Sequence, residues 1–520
     1  MKNKLSGMIA FAKAYRYPLI FILINLLASL IYHFPFLRED NWFWRASQTY
    51  ITSFWFKQEG INLINYQTPL FGPPWQVPYE FPLYQALCVI VSNVFSIHIL
   101  TASHITSLLI FYTSAILLML ICFQYFEDLF TATVIFSVYL WIPYNFLYSN
   151  EILIDFMALM FALGFIYLMT CWFDNPHHWL MALFAIISLS LGSMVKVTTM
   201  PIIVIPFIFR FFHGLKNQGF NFTSFYKPTE IINFVKEHRL FTLFTVLMVL
   251  IPLIATVLWT NFTDGIKFAN PSIVGLSSAG LKDWNFGTWE QKLDLNNWLK
   301  WLSNIRLYYL SGFVMLFALL PCLLIFKMTA KSRELIIASA LGSFLSIFIF
   351  FNLYLHEYYY ISISACMSIL IGYGLSRVIQ FVQKRSNVWL SFSLMLLLGF
   401  FIIYPQIQLY DSFRQSVNDY HKYMEEDFYS IGRSAKEVTP PGEYIIIVQE
   451  NWEPYIAVAT ERKVFLFTHM SRGFFNCNML LPYPYTTLIG PSDNADTQKA
   501  LACYDHYQEV SPEVYRLYKK

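Results

Sequence analysis

Charge is scarce along this chain: Asp, Glu, Lys and Arg make up 13% of its 520 residues, about half the share of a soluble globular domain. A protein folded solely around a water-facing core is thereby excluded. An excess of one sign is missing as well, since the net charge is only +3, and nothing in it points to nucleic acid as a partner. There is no internal repeat, no low-complexity tract, and no Gly-rich loop following a strand-like run, so the dinucleotide fingerprint is absent. Cysteines number seven. Five of them, Cys88, Cys122, Cys171, Cys322 and Cys366, fall in or beside apolar segments, where a thiol acts as a small hydrophobe and implies no metal. Cys477 and Cys503 lie in a polar tail and can pair if that tail faces an oxidising compartment. A cleavable leader is also missing: Lys2, Lys4, Lys13 and Arg16 precede the run 17–36, which is too long and has no small-x-small site after it, so it reads as a retained anchor.

What the chain has instead is hydrocarbon. Apolar residues make up 57% of it, and runs of about 18 or more recur from Tyr17 to Pro405, long enough to cross a bilayer core as helices. Basic residues gather at the N-terminus, Lys216 to Arg239, Lys327 to Arg333 and Arg377 to Arg385, and the positive-inside rule places all four in the cytoplasm. Spans are expected near 17–36, 103–123, 131–148, 152–172, 179–195, 197–212, 241–260, 304–326, 334–353, 358–380 and 387–405. An even number of crossings before the Lys216 loop requires one candidate to stay out, and 83–100, with Ser92, Asn93, Ser96 and His98, reads as an interfacial helix. Lys196 and Pro201 mark a break between two spans. Lys267, Lys282, Lys292 and Lys300 strain this topology by falling in an outer loop.

The expectation is therefore an α-helical polytopic membrane protein with about eleven transmembrane helices. Residues 1–405 form the membrane domain, with outer loops 37–103 and 261–303, and 406–520 form a small non-cytoplasmic α/β domain. In that tail a helical stretch, Ser412 to Lys436, precedes Tyr444 to Val448, a buried-strand pattern, with further strands at Lys463 to Phe467 and Thr486 to Ile489.

Polar groups at span ends carry the chemistry. Trp42 and Trp44 read as interfacial anchors, but Asp40 among them is costly unless paired or used. Prolines 73, 74, 78 and 82 fix an extended path that delivers Glu80 to the start of the interfacial helix, where it can also answer the helix dipole. Asp155 sits about one turn into a helix. Lys196 either snorkels or clamps a phosphate, and His356 and Glu357 stand beside Tyr358, Tyr359 and Tyr360. Carboxylates, cations and hydroxyls at lipid-phosphate depth suit a substrate with a tail in the bilayer and a sugar outside it.

At these residues the sequence resembles the GT-C superfamily of membrane glycosyltransferases that use polyprenyl-phosphate sugars, a group that includes protein O-mannosyltransferases and the aminoarabinose transferases of lipid A. The resemblance covers roughly 20–370. Asp40 ahead of Trp44-Arg45-Ala46-Ser47-Gln48-Thr49 is similar to the family's first-loop acidic motif, and Glu80-Phe81-Pro82-Leu83-Tyr84 is the most specific match. Tyr148-Ser149 through Asp155 resembles a further connection in which Asn150 and Ile154 replace Arg and Pro. Lys196 after Leu191-Gly192 resembles an outer-face lysine, and Trp284-Asn285-Phe286-Gly287-Thr288 and His356-Glu357-Tyr358-Tyr359 also match.

The resemblance implies an inverting glycosyltransferase with a polyprenyl-phosphate sugar as donor and a glycan, lipid or protein as acceptor. Asp40 is then the general base, Glu39 its substitute, and Asp155 its support. Lys196, Arg45, His356 and Tyr359 lie near the donor phosphate, and Glu80, Gln48 and Tyr84 on the substrate. It implies no metal, although the clustered carboxylates leave room for a divalent ion. The expected place is a bacterial inner membrane, with the site outside the cytoplasm. A transporter or flippase should show inverted repeats and mid-membrane charges, which the sequence lacks, and a non-catalytic envelope-assembly protein is the remaining alternative.

Overall fold

The computed structural model describes residues 20–34, 44–222, 226–312, 314–385, 388–424 and 428–518. Six helical stretches are long and apolar enough to cross a membrane: Ile99–Phe126, Asp155–Asp174, Trp179–Asn217, Arg239–Ala269, Ala330–Ile349 and Glu357–Lys384. Shorter apolar helices, Ile20–His33, Leu129–Trp141 and Val314–Lys327, stand beside them, and Val388–Met424 is the last long helix. The stretch Trp179–Asn217 is itself two passes. Its first helix ends at Lys196, a 3-10 turn over Val197–Ile203 contains Pro201, and Val204–Asn217 returns. The return is shown by contacts with a single neighbour, Asp155–Asp174: Lys196 pairs with its first residue and Arg210 with its last. With that hairpin counted as two, the six long stretches, the three shorter apolar helices and Val388–Met424 make eleven helical segments among the described residues.

Small residues set the spacing. A Cβ on Gly192 would come within 2.8 Å of the Phe161 Cβ, so the helices bearing Asp155 and Lys196 approach as closely as they do because one of them carries a hydrogen there. Leu83–Phe95 has 13 residues, about 20 Å of helix, and it lies against the helices Trp44–Glu59 and Ile99–Phe126.

The two ends of the bundle differ. At one end, Lys331 meets Glu127, Gln380 bonds Asp128, and Arg210 meets Asp174; the basic loops after 216, 327 and 377 all lie there. The other end bears the sheet. Its strands are β1 Tyr444–Val448, β2 Val464–Phe467, β3 Tyr485–Ile489, β4 His506–Ser511 and β5 Val514–Tyr518, in the order β2-β1-β3-β5-β4. β1 is parallel to β2 and β3, whereas β5 is antiparallel to β3 and β4. Cys477 and Cys503 are bridged, their Cα atoms 5.3 Å apart.

The open edge of β2 is covered by the first large loop. Val464 N donates to Pro69 O (3.0 Å), Leu466 N to Leu70 O (2.8 Å) and Gly72 N to Val464 O (3.2 Å), which removes an exposed strand edge. Lys463 reinforces the seam through Glu59 (2.7 Å) and Gln67 (2.6 Å). The sheet and the Pro-rich loop are therefore one structure. Val388–Met424 runs as a single helix through position 405, and Arg239–Ala269 carries on nine residues past the expected end at 260.

Candidate active site at the sheet end of the bundle

Asp155 is the first residue of Asp155–Asp174, where the helix dipole favours an anion, and Lys196 is the last residue of Trp179–Lys196, where it favours a cation. The antiparallel packing of the two helices brings these termini together. Lys196 Nζ donates to Asp155 Oδ1, both side chains are buried, and Asp155 Oδ2 is buried without a hydrogen-bond partner. The ammonium also lies 4.1 Å from the Tyr359 ring centre and 5.0 Å from that of Tyr358, so two aromatic faces replace water around it.

A second ion pair is built from the first loop. Arg45, in the first turn of Trp44–Glu59, donates from Nη2 to Glu80 Oε2 (2.5 Å) and from Nη1 to Gln48 Oε1 (2.9 Å). Glu80 Oε1 accepts from Gln85 (2.7 Å), and the Glu80 carbonyl accepts from the Tyr66 hydroxyl (2.6 Å). The Arg45 guanidinium lies 5.8 Å from the Tyr79 ring. Burial works against its charge, but Glu80, with Tyr358 and Tyr359, outweighs burial and raises its pKa. The next residue, Phe81, donates its N–H to the Met194 carbonyl (3.2 Å). That bond fastens the Arg45–Glu80 pair beside Lys196, which feels the charges of both.

His356 packs beside Trp284, with ring centres 5.2 Å apart and the planes tilted by 47°. Burial lowers its pKa, Glu357 opposes the shift and Lys196 adds to it, so at neutral pH it offers an uncharged imidazole. Tyr79 is raised by burial, with Arg45 opposing and Glu80 adding, and its phenol stays protonated.

Of the residues singled out from sequence, Arg45, Gln48, Glu80, Asp155, Lys196, His356 and Tyr359 come together. Asp40 and Glu39 lie outside the described residues, as does Trp42. Tyr84 stands apart: it is fully buried, and its hydroxyl is taken up by Ser107 (2.7 Å) and the Ser103 carbonyl (3.1 Å), binding two helices together. Trp44 is not a lipid-facing anchor; its ring meets Trp452 of the sheet domain edge-on at 5.2 Å.

Four participants were given no role at the site by the sequence reading. Lys267 is buried beside Asp264, one turn away, within electrostatic reach of Glu80 and Arg45; the Asp264–Lys267 spacing of three was its only signal. Tyr358 was hidden in a run of tyrosines. Tyr79 and Trp452 stack on one another at 5.9 Å, and no local pattern announces a contact across so much sequence. A cavity of about 610 Å³ lies elsewhere. It is an apolar recess lined by Tyr32, Trp141, Phe146, Tyr309, Gln406 and Tyr410 among others, and Tyr144 separates it from the site, touching Tyr309 at 5.1 Å and donating to the Glu357 carbonyl at 2.5 Å. Among the described residues no cluster of His, Cys, Asp and Glu has the form of a metal site.

No protein-family model matches the chain, and no curated protein matches it in sequence. Solved structures do match in fold. ArnT from Cupriavidus metallidurans, bound to undecaprenyl phosphate, superposes with a TM-score of 0.59 at 10% identity over 97% of this chain and 98% of that one. The archaeal oligosaccharyltransferase AglB from Archaeoglobus fulgidus, in complex with an inhibitory peptide and a dolichol-phosphate, gives 0.54 at 14% identity over 92% of this chain and 69% of that one. The chain therefore shares its overall fold with these two structures.

Proposed function

We propose that this GT-C-fold chain is an inverting glycosyltransferase that moves a sugar from a polyprenyl-phosphate carrier to a glycan, lipid or protein acceptor. The observation that carries the reading is the buried Asp155–Lys196 pair at the sheet end, with Arg45 and Glu80 fastened beside it. In such a transfer the acceptor oxygen attacks the anomeric carbon as its bond to the phosphate oxygen breaks. The acceptor proton passes to a carboxylate, and the departing lipid phosphate gains one negative charge. Lys196 and Arg45 supply the fixed cations for that charge, with Tyr359 and the neutral His356 as further donors. Asp155, with one oxygen uncommitted, orients the acceptor. Asp40, with Glu39 as substitute, is the base; it precedes Arg45 by five residues in the chain. Gln48 and Glu80 hold Arg45 in place for the substrate.

No divalent ion enters this scheme, because the Lys196 ammonium already takes the position beside Asp155 that a metal would need. The three basic loops at the far end put that end in the cytoplasm, so the site faces the non-cytoplasmic side, and we place it on a bacterial inner membrane. The apolar recess behind Tyr144 suits a prenyl tail. A transporter would hold ionisable groups midway along its helices, whereas both ion pairs on Asp155–Asp174 are at its ends. The test is sugar transfer from the total lipid-linked pool in membranes carrying Asp155→Asn or Lys196→Ala at normal protein levels. Unchanged transfer in both ends the enzyme reading, and retained transfer in chelator sustains the metal-free one.

A further inference from the structure

The sheet domain reaches into the site at one point. The loop 449–454 leaves the carboxyl end of β1, the central member of three parallel strands, which is where open α/β sheets present residues to ligands. The loop is tied down on both sides: Gln449 N donates to Phe467 O (3.1 Å), Gln449 Nε2 to Glu453 O (2.7 Å), and His469 bonds the Glu450 carbonyl (2.7 Å). It presents a single large side chain, Trp452, towards the membrane domain. That ring stacks on Tyr79 at 5.9 Å and 21°, meets Trp44 edge-on at 5.2 Å, and touches Phe71 at 6.3 Å.

Packing alone explains an aromatic trio, but it leaves the polar atoms unexplained. The Tyr79 hydroxyl and the Trp44 indole N–H are both buried without a hydrogen-bond partner, whereas buried polar groups in folded proteins are as a rule satisfied. Flat aromatic faces flanked by spare donors suit a ligand with an apolar C–H face and a rim of hydroxyls, which is a pyranose or furanose ring. The trio also adjoins the cations, because Tyr79 lies under Arg45 and is followed in sequence by Glu80.

We infer that Trp44, Tyr79 and Trp452 form a sugar-binding wall, with Trp452 the residue through which the sheet domain sets sugar specificity. The inference rests on the glycosyltransferase reading for its neighbouring phosphate. Carrier and acceptor sugars present the same ring chemistry, and the arms of the experiment tell the two sources apart.

Calorimetry on the full-length protein in nanodiscs tests it, using citronellyl phosphate, the same lipid bearing β-linked glucose, mannose, galactose or arabinose, and the corresponding methyl glycosides added after citronellyl phosphate. Trp452→Ala is expected to weaken at least one glycosylated probe about tenfold while leaving citronellyl phosphate unchanged. Trp452→Phe should recover most of the loss, and Tyr79→Phe should show a smaller loss confined to sugar-bearing probes. Loss on the glycosylated lipids identifies the carrier's sugar, and loss on the methyl glycosides alone identifies the acceptor's; both support the wall. Equal weakening of every probe, no weakening of any, or a wild-type protein that gains nothing from the sugar overturns it. Lys196→Ala reads the premise separately: if citronellyl phosphate binds that variant normally, the phosphate site fails, whatever Trp452 does.

Discussion

The helix Asp155–Asp174 carries an acid at each end, about 30 Å apart along its axis, and each acid meets one cation. At the sheet end Lys196 and Asp155 are both buried; at the far end Arg210 is 1% exposed and Asp174 34%. The pairs look alike, so an ion pair is no signature of a site. Their company separates them. Around Lys196 stand a second ion pair, two tyrosine faces, Lys267 and a loop held by another domain. Around Arg210 stand Tyr125, at 5.2 Å, and the charges of Asp174 and Glu334, and two of its guanidinium nitrogens have no partner. The far end fastens helices; the near end gathers two ion pairs and aromatic faces beside a loop held by the sheet domain.

The sharpest way to break that contrast is to remove each cation. Lys196→Ala should lower transfer by about 10²–10³-fold, as the loss of a fixed transition-state charge does, with only a modest change in melting temperature. At the far end the effect should fall on stability instead. Asp174→Asn leaves Arg210 buried and unpaired and should cost about 3–5 kcal/mol, whereas Arg210→Met replaces an under-satisfied cation by an apolar chain and should be close to neutral. Thermal unfolding and transfer rate measured on the same membranes decide it. If Arg210→Met abolishes transfer without loss of protein, the two ends are not distinct in kind.

A finer cut is Arg45→Lys. A point charge cannot serve Glu80 and Gln48 together from two nitrogens as the planar guanidinium does. Transfer should fall about tenfold, and the Gln48→Ala and Arg45→Lys effects should be non-additive, because both act on one geometry. Independent effects would mean that Gln48 touches substrate instead of Arg45.

Much of this was legible in the chain, for reasons that differ by element. Spans were readable because a bilayer demands long apolar runs, and the hairpin was readable because Lys196 and Pro201 interrupt one. Asp155, Lys196, Arg45 and Glu80 were readable because hydrocarbon makes charge at span ends expensive. Lys267 was misread as a loop cation because Arg239–Ala269 continues past Thr260 into polar sequence, supported by contacts that the sequence does not display. The β4–β5 hairpin went unread because β4 is almost wholly exposed and has no alternation to show. Trp452 was out of reach for another reason. Its place depends on the loop 66–72 adding to the β2 edge, a pairing across nearly four hundred residues, for example Gln67 with Lys463.

The seam between loop and sheet gives a smaller test of the same comparison. Lys463→Ala removes the bonds to Glu59 and Gln67, in a setting where Lys463 is largely covered and Glu59 is about 39% exposed. Solvent limits the worth of such a pair to about 1 kcal/mol or less. The three backbone bonds along β2 should hold the loop, so the prediction is a slight drop in melting temperature and a transfer rate within about twofold of wild type. A larger loss of rate would mean that the near end depends on the sheet domain through this lysine, and not through the strand edge.

The smallest expected effect concerns His356, the one imidazole beside the Lys196 pair among the described residues. Burial, with Lys196 adding and Glu357 opposing, puts its folded-state pKa below the ordinary 6.5. The unfolded chain therefore binds more protons in that range, and stability rises with pH through it. Acidification from about pH 7 through 6.5 and below should destabilise the wild type, first by taking up a proton that the folded site disfavours. His356→Gln keeps a polar donor and cannot titrate, so its unfolding midpoint should vary less over that window, while transfer at pH 7.5, where the wild-type ring is neutral, stays within severalfold. A variant whose stability falls with acid as steeply as the wild type's would show that the imidazole is paired well enough to be charged, and would move it from a neutral donor at the phosphate to a cation.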